Sequence, residues 1–456
     1  VLTARSLPSD SSMKSCLLSL ALGSFVAVSG ALAADKPNIV FILADDLGIG
    51  NVGCYGADAT VKTPHIDALA RGGTRYTNAY TVPLCGPSRA AILSGRYAFR
   101  TGATNQDATG EMKPSVETFL PKTLKAAGYA SSMIGKWGQL PLGPAEFGFD
   151  EHLKFQGSGI YWNSQAKGKN YVVNTQSVPL RDKEYLPDAM HRHAVDFMTR
   201  NREKPFYLYY SLSHIHGEIL PTPDSAPDSK DLYADNISYM DKLVGQLVAE
   251  LDRLKLREKT LIVFFGDNGT GGNYSERATV NGRRLSGAKG DMLEGGALVP
   301  MIVNWPGKTP AGKICTDMVD STDFFPTFAE FAGAKLPAKT VIDGRSMAAQ
   351  FRGEKGQLLE GGIRVPYAVT WPGVTKPGSV IKTPVISTDL TAMALAAEGG
   401  DEFLVTMACL QLLATMGNDE APAAAAEESS ENEEEDEEYA KGEDWLSEQG
   451  FDRRSE

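Results

Sequence analysis

Cysteine is scarce in this chain, with five residues in 456. Four of them, Cys54, Cys85, Cys315 and Cys409, lie beyond the first 33 positions. They are too few and too scattered for the disulfide framework of a small secreted fold, although a single bridge stays open. Basic charge is also short. Lys and Arg number 45 against 57 Asp and Glu, a net charge of −12. This excludes, as a default reading, the phosphate-neutralising surface of a nucleic-acid binder. The excess of acid is local, since residues 427–456 hold 14 acidic and three basic side chains. Beyond the N-terminal segment no apolar run reaches the roughly 18 residues that a bilayer span needs, and no heptad or collagen-like period is sustained. Hydrophobic residues make up 42% and charged residues 22%, an ordinary globular balance. The length allows one large domain with appendages.

What is present begins near the N-terminus. Met13-Lys14, an apolar stretch over 17–28 and Ala31-Leu32-Ala33 form the three-part layout of a secretory signal peptide. The expected product is cleaved after Ala33 and is secreted or periplasmic, with residues 1–12 lying upstream of a start at Met13. Cys16 precedes the apolar stretch and leaves with it, which argues against a lipid anchor. Residues 35–353 read as one large domain. Residues 289–323 and 355–389 match at a constant offset of 66, so 354–400 reads as a partial duplicate of 288–334. One pair of copies is not a solenoid. Residues 401–456 read as an acidic tail that cannot bury enough apolar surface to fold alone.

Between these ends, strand and helix patterns alternate. Continuous apolar, β-branched runs predict buried strands over 38–44, 205–212, 260–265 and 300–305. Helical patterns cover 65–72, 88–95, 119–127 and 233–254. The alternation predicts an α/β domain with a mainly parallel central sheet flanked by helices. Ligands of such sheets bind beyond the carboxyl ends of the strands. Asp45-Asp46 and Asp267-Asn268 both stand at such ends and offer hard oxygen ligands for Ca²⁺ or Mg²⁺. Residues 85–96 read Cys-Gly-Pro-Ser-Arg-Ala-Ala-Ile-Leu-Ser-Gly-Arg. A small nucleophile there opens a helix, whose N-terminus favours an anion. Arg89, one turn on, adds a fork that suits sulfate or phosphate oxygens. A divalent ion, an activated residue and an arginine together describe transfer of a tetrahedral oxyanion.

These residues resemble the type I sulfatases of the alkaline phosphatase superfamily, whose maturation motif C-x-P-S-R-x-x-x-x-[ST]-G-R stands here as CGPSRAAILSGR. The resemblance runs over residues 36–353, through NIVFILADDLG, TPHIDALARGG, IGKWG, FFGDNG and KGDMLEGG. It implies a sulfuric ester hydrolase acting on a carbohydrate or aryl sulfate, and a formylglycine formed from Cys85 by a maturation enzyme. It also implies one metal ion, Ca²⁺ rather than Mg²⁺, on Asp45, Asp46, Asp267 and Asn268 with residue 85. Arg89 would steady the hydrated aldehyde, Lys136 and Lys289 would bind sulfate, and His216 would protonate the departing alcohol. In the implied cycle a hydroxyl of residue 85 attacks sulfur, the alcohol leaves, and the second hydroxyl then loses its proton as sulfate is expelled.

The chain departs from the family in several places. Gly138 stands where Gly-Lys-Trp is commonly followed by the histidine assigned to the last step, and His214 is a candidate replacement by nearness in sequence. Leu298 stands where the second copy has Arg364. Lys355 of that copy lacks a preceding Asp-Asn-Gly, which favours Lys289. The family's C-terminal antiparallel subdomain reads as missing or replaced. Two alternatives are a phosphate or phosphonate ester hydrolase of the same superfamily and a non-catalytic binder of sulfated glycans.

Overall fold

A computed structural model describes residues 36–155, 157, 159–166 and 170–354. The signal segment, the second repeat copy from residue 355, the acidic tail and the question of a C-terminal subdomain lie outside the described residues. In chain order the main elements are β1 (Asn38–Ala44), α1 (Pro64–Arg71), β2 (Thr74–Tyr80), α2 (Cys85–Ser94), α3 (Leu120–Ala126), β3 (Ala130–Lys136) and β4 (Glu151–Phe155). There follow β5 (Asn170–Val173), β6 (Gln176–Pro179), α4 (Leu186–Arg200), β7 (Phe206–Ser211), α5 (Leu232–Arg253) and β8 (Thr260–Gly266). The paired β9 (Thr279–Val280) and β10 (Arg283–Arg284), then β11 (Met301–Asn304), β12 (Lys313–Asp320) and α6 (Phe324–Ala332) complete the set.

Ten strands form one sheet in the order β12-β2-β11-β8-β1-β7-β3-β4-β5-β6. Its centre, β8-β1-β7-β3-β4, is wholly parallel. The flanks are mixed: β11 runs antiparallel to both β8 and β2, and β4-β5-β6 alternate in direction. Every residue of β1, β7 and β8 is buried, as continuous apolar runs require when both faces of a strand are covered. The two faces of β1 feed separate cores. Val40, Ile42 and Ala44 join Ile66 and Leu69 of α1, Met190 and Phe197 of α4, and Ile237 and Leu247 of α5. Ile39, Phe41 and Leu43 join Leu93 of α2, Leu120 and Leu124 of α3, and Phe324 and Phe328 of α6. Helices therefore cover both faces, giving the expected α/β arrangement of a sheet between two helical layers. No helix among the described residues is long and apolar enough to cross a membrane. The described cysteines Cys54, Cys85 and Cys315 are all free thiols.

Candidate active site

Five strands deliver the chemistry to one edge of the sheet. β1 runs into Asp45-Asp46, β8 into Asp267-Asn268, and β3 ends on Lys136, while β7 leads through Ser211 to His214 and His216. β2 is antiparallel to β11, which is itself antiparallel to β8. It therefore points the same way as the parallel centre and carries the chain towards Cys85, the first residue of α2. The short exit from β2 is pinned by the motif's serine: Ser88 donates to the Val82 carbonyl at 2.6 Å and accepts from the Thr81 hydroxyl at 2.7 Å. That turn seats Cys85 at the helix N-terminus, where the peptide dipoles favour negative charge.

The charged side chains are interlocked. Arg89 is fully buried. Its Nη2 and Nε donate to Asp267 Oδ2 at 2.6 and 3.1 Å. Its Nη1 donates to the Lys136 carbonyl at 3.0 Å and the Ser211 hydroxyl at 2.5 Å. Lys136 Nζ lies 2.5 Å from Asp45 Oδ2, with both side chains fully buried. Asp45 Oδ1 has no donor among the described residues. Lys289 Nζ sits 2.6 Å from Asp46 Oδ1, which also accepts from Asn268 Nδ2 at 2.9 Å. Asp267 Oδ1 accepts from the backbone of Asp46 at 3.2 Å. Three carboxylates and three cations thus share one buried volume.

The acidity of these groups follows from this crowding. Burial, then the neighbouring Asp267, lifts the Asp45 carboxyl well above the ordinary range against the pull of Lys136. Burial would raise Asp46 too, but Lys289, Lys136 and His216 outweigh it and hold it low. Burial and Lys136 push His216 down to about 4, with Asp46 opposing.

The donor set suits a hard divalent cation. One ligand atom each from Asp45, Cys85 and Asp267 lies within 4.8 Å of the others, and the same holds for Asp45, Asp46 and His216. Asp45 Oδ1 and Asn268 Oδ1 are buried without hydrogen-bond donors among the described residues. Such orphans are costly unless a ligand meets them, and carboxylate and amide oxygens are what Ca²⁺ takes. With three carboxylates against three cations, a divalent ion leaves a surplus of positive charge for an anionic substrate.

All nine residues singled out in the sequence therefore meet around one point: Asp45, Asp46, Cys85, Arg89, Lys136, His216, Asp267, Asn268 and Lys289. His214 does not join them. Its ring is completely buried among Tyr161, Tyr185 and Tyr239, with Nε2 3.0 Å from the Tyr185 hydroxyl. Burial pushes its pKa down to about 3. It is a core group, and nearness in sequence to His216 gave a misleading signal. Three contacts escape a reading by motif. Ser211 ties Arg89 to β7, and Gln106 and Gln139 both touch the Cys85 sulfur, at 3.1 and 3.7 Å. A position at the carboxyl end of a buried strand was a usable signal for Ser211; the two glutamines carry none.

Comparison with known proteins gives the same picture. The sequence matches the family described as Sulfatase over residues 37–334. It is 32% identical over 427 residues to a steryl-sulfatase of Rattus norvegicus, covering 73% of each chain. It is 34% identical over 367 residues to arylsulfatase A of Homo sapiens, covering 73% of this chain and 69% of that one. Its fold is similar to the crystal structure of Ps i-CgsB in complex with k-i-k-neocarrahexaose, with a TM-score of 0.61 and 32% identity, covering 70% of this chain and 77% of that one. With strand ends, motif and relatives in agreement, the chain belongs to the sulfatases, as a type I enzyme of the alkaline phosphatase superfamily that hydrolyses sulfate esters.

Proposed function

We propose that this sulfatase cleaves the sulfate ester of a carbohydrate or aryl alcohol through a formylglycine made from Cys85, with one Ca²⁺ held by Asp45, Asp46, Asp267 and Asn268. The observation that carries the reading is the meeting of three carboxylates with three fixed cations around a cysteine at a helix N-terminus, where Asp45 Oδ1 and Asn268 Oδ1 have no donor among the described residues. The carbohydrate class is supported by the oligosaccharide in the Ps i-CgsB complex and by 31% identity to an N-acetylgalactosamine-6-sulfatase of Canis lupus familiaris. Export after cleavage at Ala33, and a catalytic domain over 35–353, belong to the same proposal.

The roles follow from charge and reach. Conversion of Cys85 is a two-electron oxidation in which a dedicated maturation enzyme, using an external oxidant such as dioxygen, replaces sulfur by a carbonyl oxygen and releases it as hydrogen sulfide; the hydrated aldehyde offers a hydroxyl nucleophile. A Ca²⁺ held by Asp45, Asp46, Asp267 and Asn268 would supply Lewis-acid polarisation there. Arg89, gripped by Asp267, is a cation that cannot swing away and steadies charge at residue 85. Lys136 and Lys289 present ammonium donors to sulfate oxygens. These two charges help to hold His216 neutral, and a bound anionic ester offsets them. His216, beside Asp46, is placed to pass a proton to the departing alcohol.

The test is the mass of the Cys85 peptide from protein co-expressed with a formylglycine-generating enzyme, together with hydrolysis of an aryl sulfate and an aryl phosphate. The expected result is a loss of about 18 Da, the change from thiol to aldehyde, with sulfate strongly preferred. An intact thiol in active protein overturns the formylglycine chemistry. Preference for phosphate overturns the substrate class.

A further inference from the structure

Residue 138 has no side chain to offer the site. Gly138 has φ +77°, and a Cβ built there would stand 3.5 Å from Arg89 Cδ and 4.0 Å from Lys136 Cε, inside the charged cluster. The next residue turns inward instead. Gln139 Oε1 lies 3.7 Å from the Cys85 sulfur, placed to accept from it. Gln106 approaches the same atom and donates from Nε2 at 3.1 Å. The orientation of the Gln106 amide is fixed by its surroundings, because Oε1 accepts from the backbone N–H of Gly86 at 3.2 Å. With the oxygen so engaged, only the NH₂ can face residue 85. The absence of a side chain at Gly86 makes the approach possible, since a Cβ there would sit 2.5 Å from Gln106 Oε1. Cys85 therefore lies between one fixed donor and one acceptor.

We infer that Gln106 and Gln139 are positioning residues that clamp the side chain of residue 85, beside the place where Gly138 offers no side chain; the inference rests on the formylglycine reading above. A geminal diol matches the clamp better than a thiol, because one hydroxyl accepts from Gln106 and the other donates to Gln139. A free aldehyde has no proton for Gln139. The pair thus favours hydrate over aldehyde and sets which hydroxyl faces the metal ligands. An amide oxygen holds a proton donor in place but does not remove its proton near neutral pH, so Gln139 orients without acting as a base.

The experiment compares wild type with Gln106→Leu, Gln139→Leu and Gln139→Glu, each co-expressed with the maturation enzyme and checked for the Cys85 mass loss and for melting temperature. Reaction of residue 85 with an aminooxy probe, which captures the free aldehyde, is measured beside kcat and KM on an aryl sulfate. Each Leu variant is expected to label about 3- to 10-fold faster than wild type, the worth of one hydrogen bond, with kcat lowered by a similar factor and KM little changed. Gln139→Glu keeps the acceptor, so it is expected to label at the wild-type rate and to gain a rising limb in its pH–kcat profile from the added base. Labelling and kcat at wild-type values in both fully converted Leu variants overturn the inference while leaving the sulfatase chemistry intact. Failure of wild type to lose the mass or hydrolyse sulfate is the separate signature that the underlying reading is wrong. Should a Leu variant fail to fold, the Glu variant decides alone: no change in its pH profile overturns the clamp.

Discussion

Cys85→Ala removes the candidate nucleophile of the cluster without disturbing a charge. Turnover of an aryl sulfate is expected to fall by at least about 10³-fold, with the melting temperature unchanged, as read by a thermal melt beside the assay. Arg89→Met acts differently, because it strands Asp267, which is completely buried. Removing one partner of such a pair typically costs about 3–5 kcal/mol, so urea unfolding should shift by that amount. Adding Asp267→Asn should recover part of the loss, since the two residues share one interaction. Calcium titration of the purified protein should raise the melting temperature, by mass action on the folded state alone, and at 100 times Kd the gain is about 2.7 kcal/mol. Asp45→Asn with Asp46→Asn should abolish that rise. These residues were legible in the sequence because each is a charged or nucleophilic type fixed to a strand end or a motif. Gln106 and Gln139 were not, because an uncharged amide has no signature and they stand 21 and 54 positions from Cys85.

Among the elements, β1, β7 and β8 were readable because a strand buried on both faces must be apolar throughout. β3, with the sequence ASSMIGK, is almost as deeply buried but reads as polar, since its serines are covered by neighbours rather than by their own chemistry. In β12 the pairing slips between Cys315 and Met318, which breaks the alternation that marks a half-buried strand. The run over 300–305 reads as a strand and forms β11, but composition says nothing of its antiparallel direction. Phe41 lies among the rings of Tyr209, Phe265, Phe324 and Phe328, with centroids 4.8–6.2 Å away. Phe41→Ala should cost about 3–5 kcal/mol in denaturant titration, loosening β1 from α6. At the start of α1, Asp241 from α5 accepts from the backbone of His65 and Ile66 at 3.1 and 2.8 Å. Burial lifts its carboxyl from 3.8 to about 6. The folded chain therefore holds a proton across that window which the unfolded chain gives up, and this group's contribution to stability falls as pH rises through it. Asp241→Asn should flatten the stability curve over the same window, measured by urea unfolding across it.

At the scale of the whole molecule, charge is segregated. Deleting residues 427–456 removes 14 acidic and three basic residues from a chain of net charge −12, leaving it near neutrality. For a negatively charged ester the expected outcome is a kcat/KM higher by about twofold or more at low ionic strength, converging with the full chain at physiological salt as the field is screened. An unchanged ratio at low salt would show that the acidic block does not repel substrate. The order of the sheet carries a different consequence. Asp46 and Lys289 touch although 243 positions separate them, and Arg89 meets Asp267 across 178. The ion cage is knit from ends that are far apart along the chain, so no fragment shorter than residues 45–289 contains it and no early hairpin or helix pair prefigures it. Contacts of such long range close slowly. In refolding, catalytic competence should be the last property to return, well after secondary structure, making recovered activity a clock for completion of the central sheet.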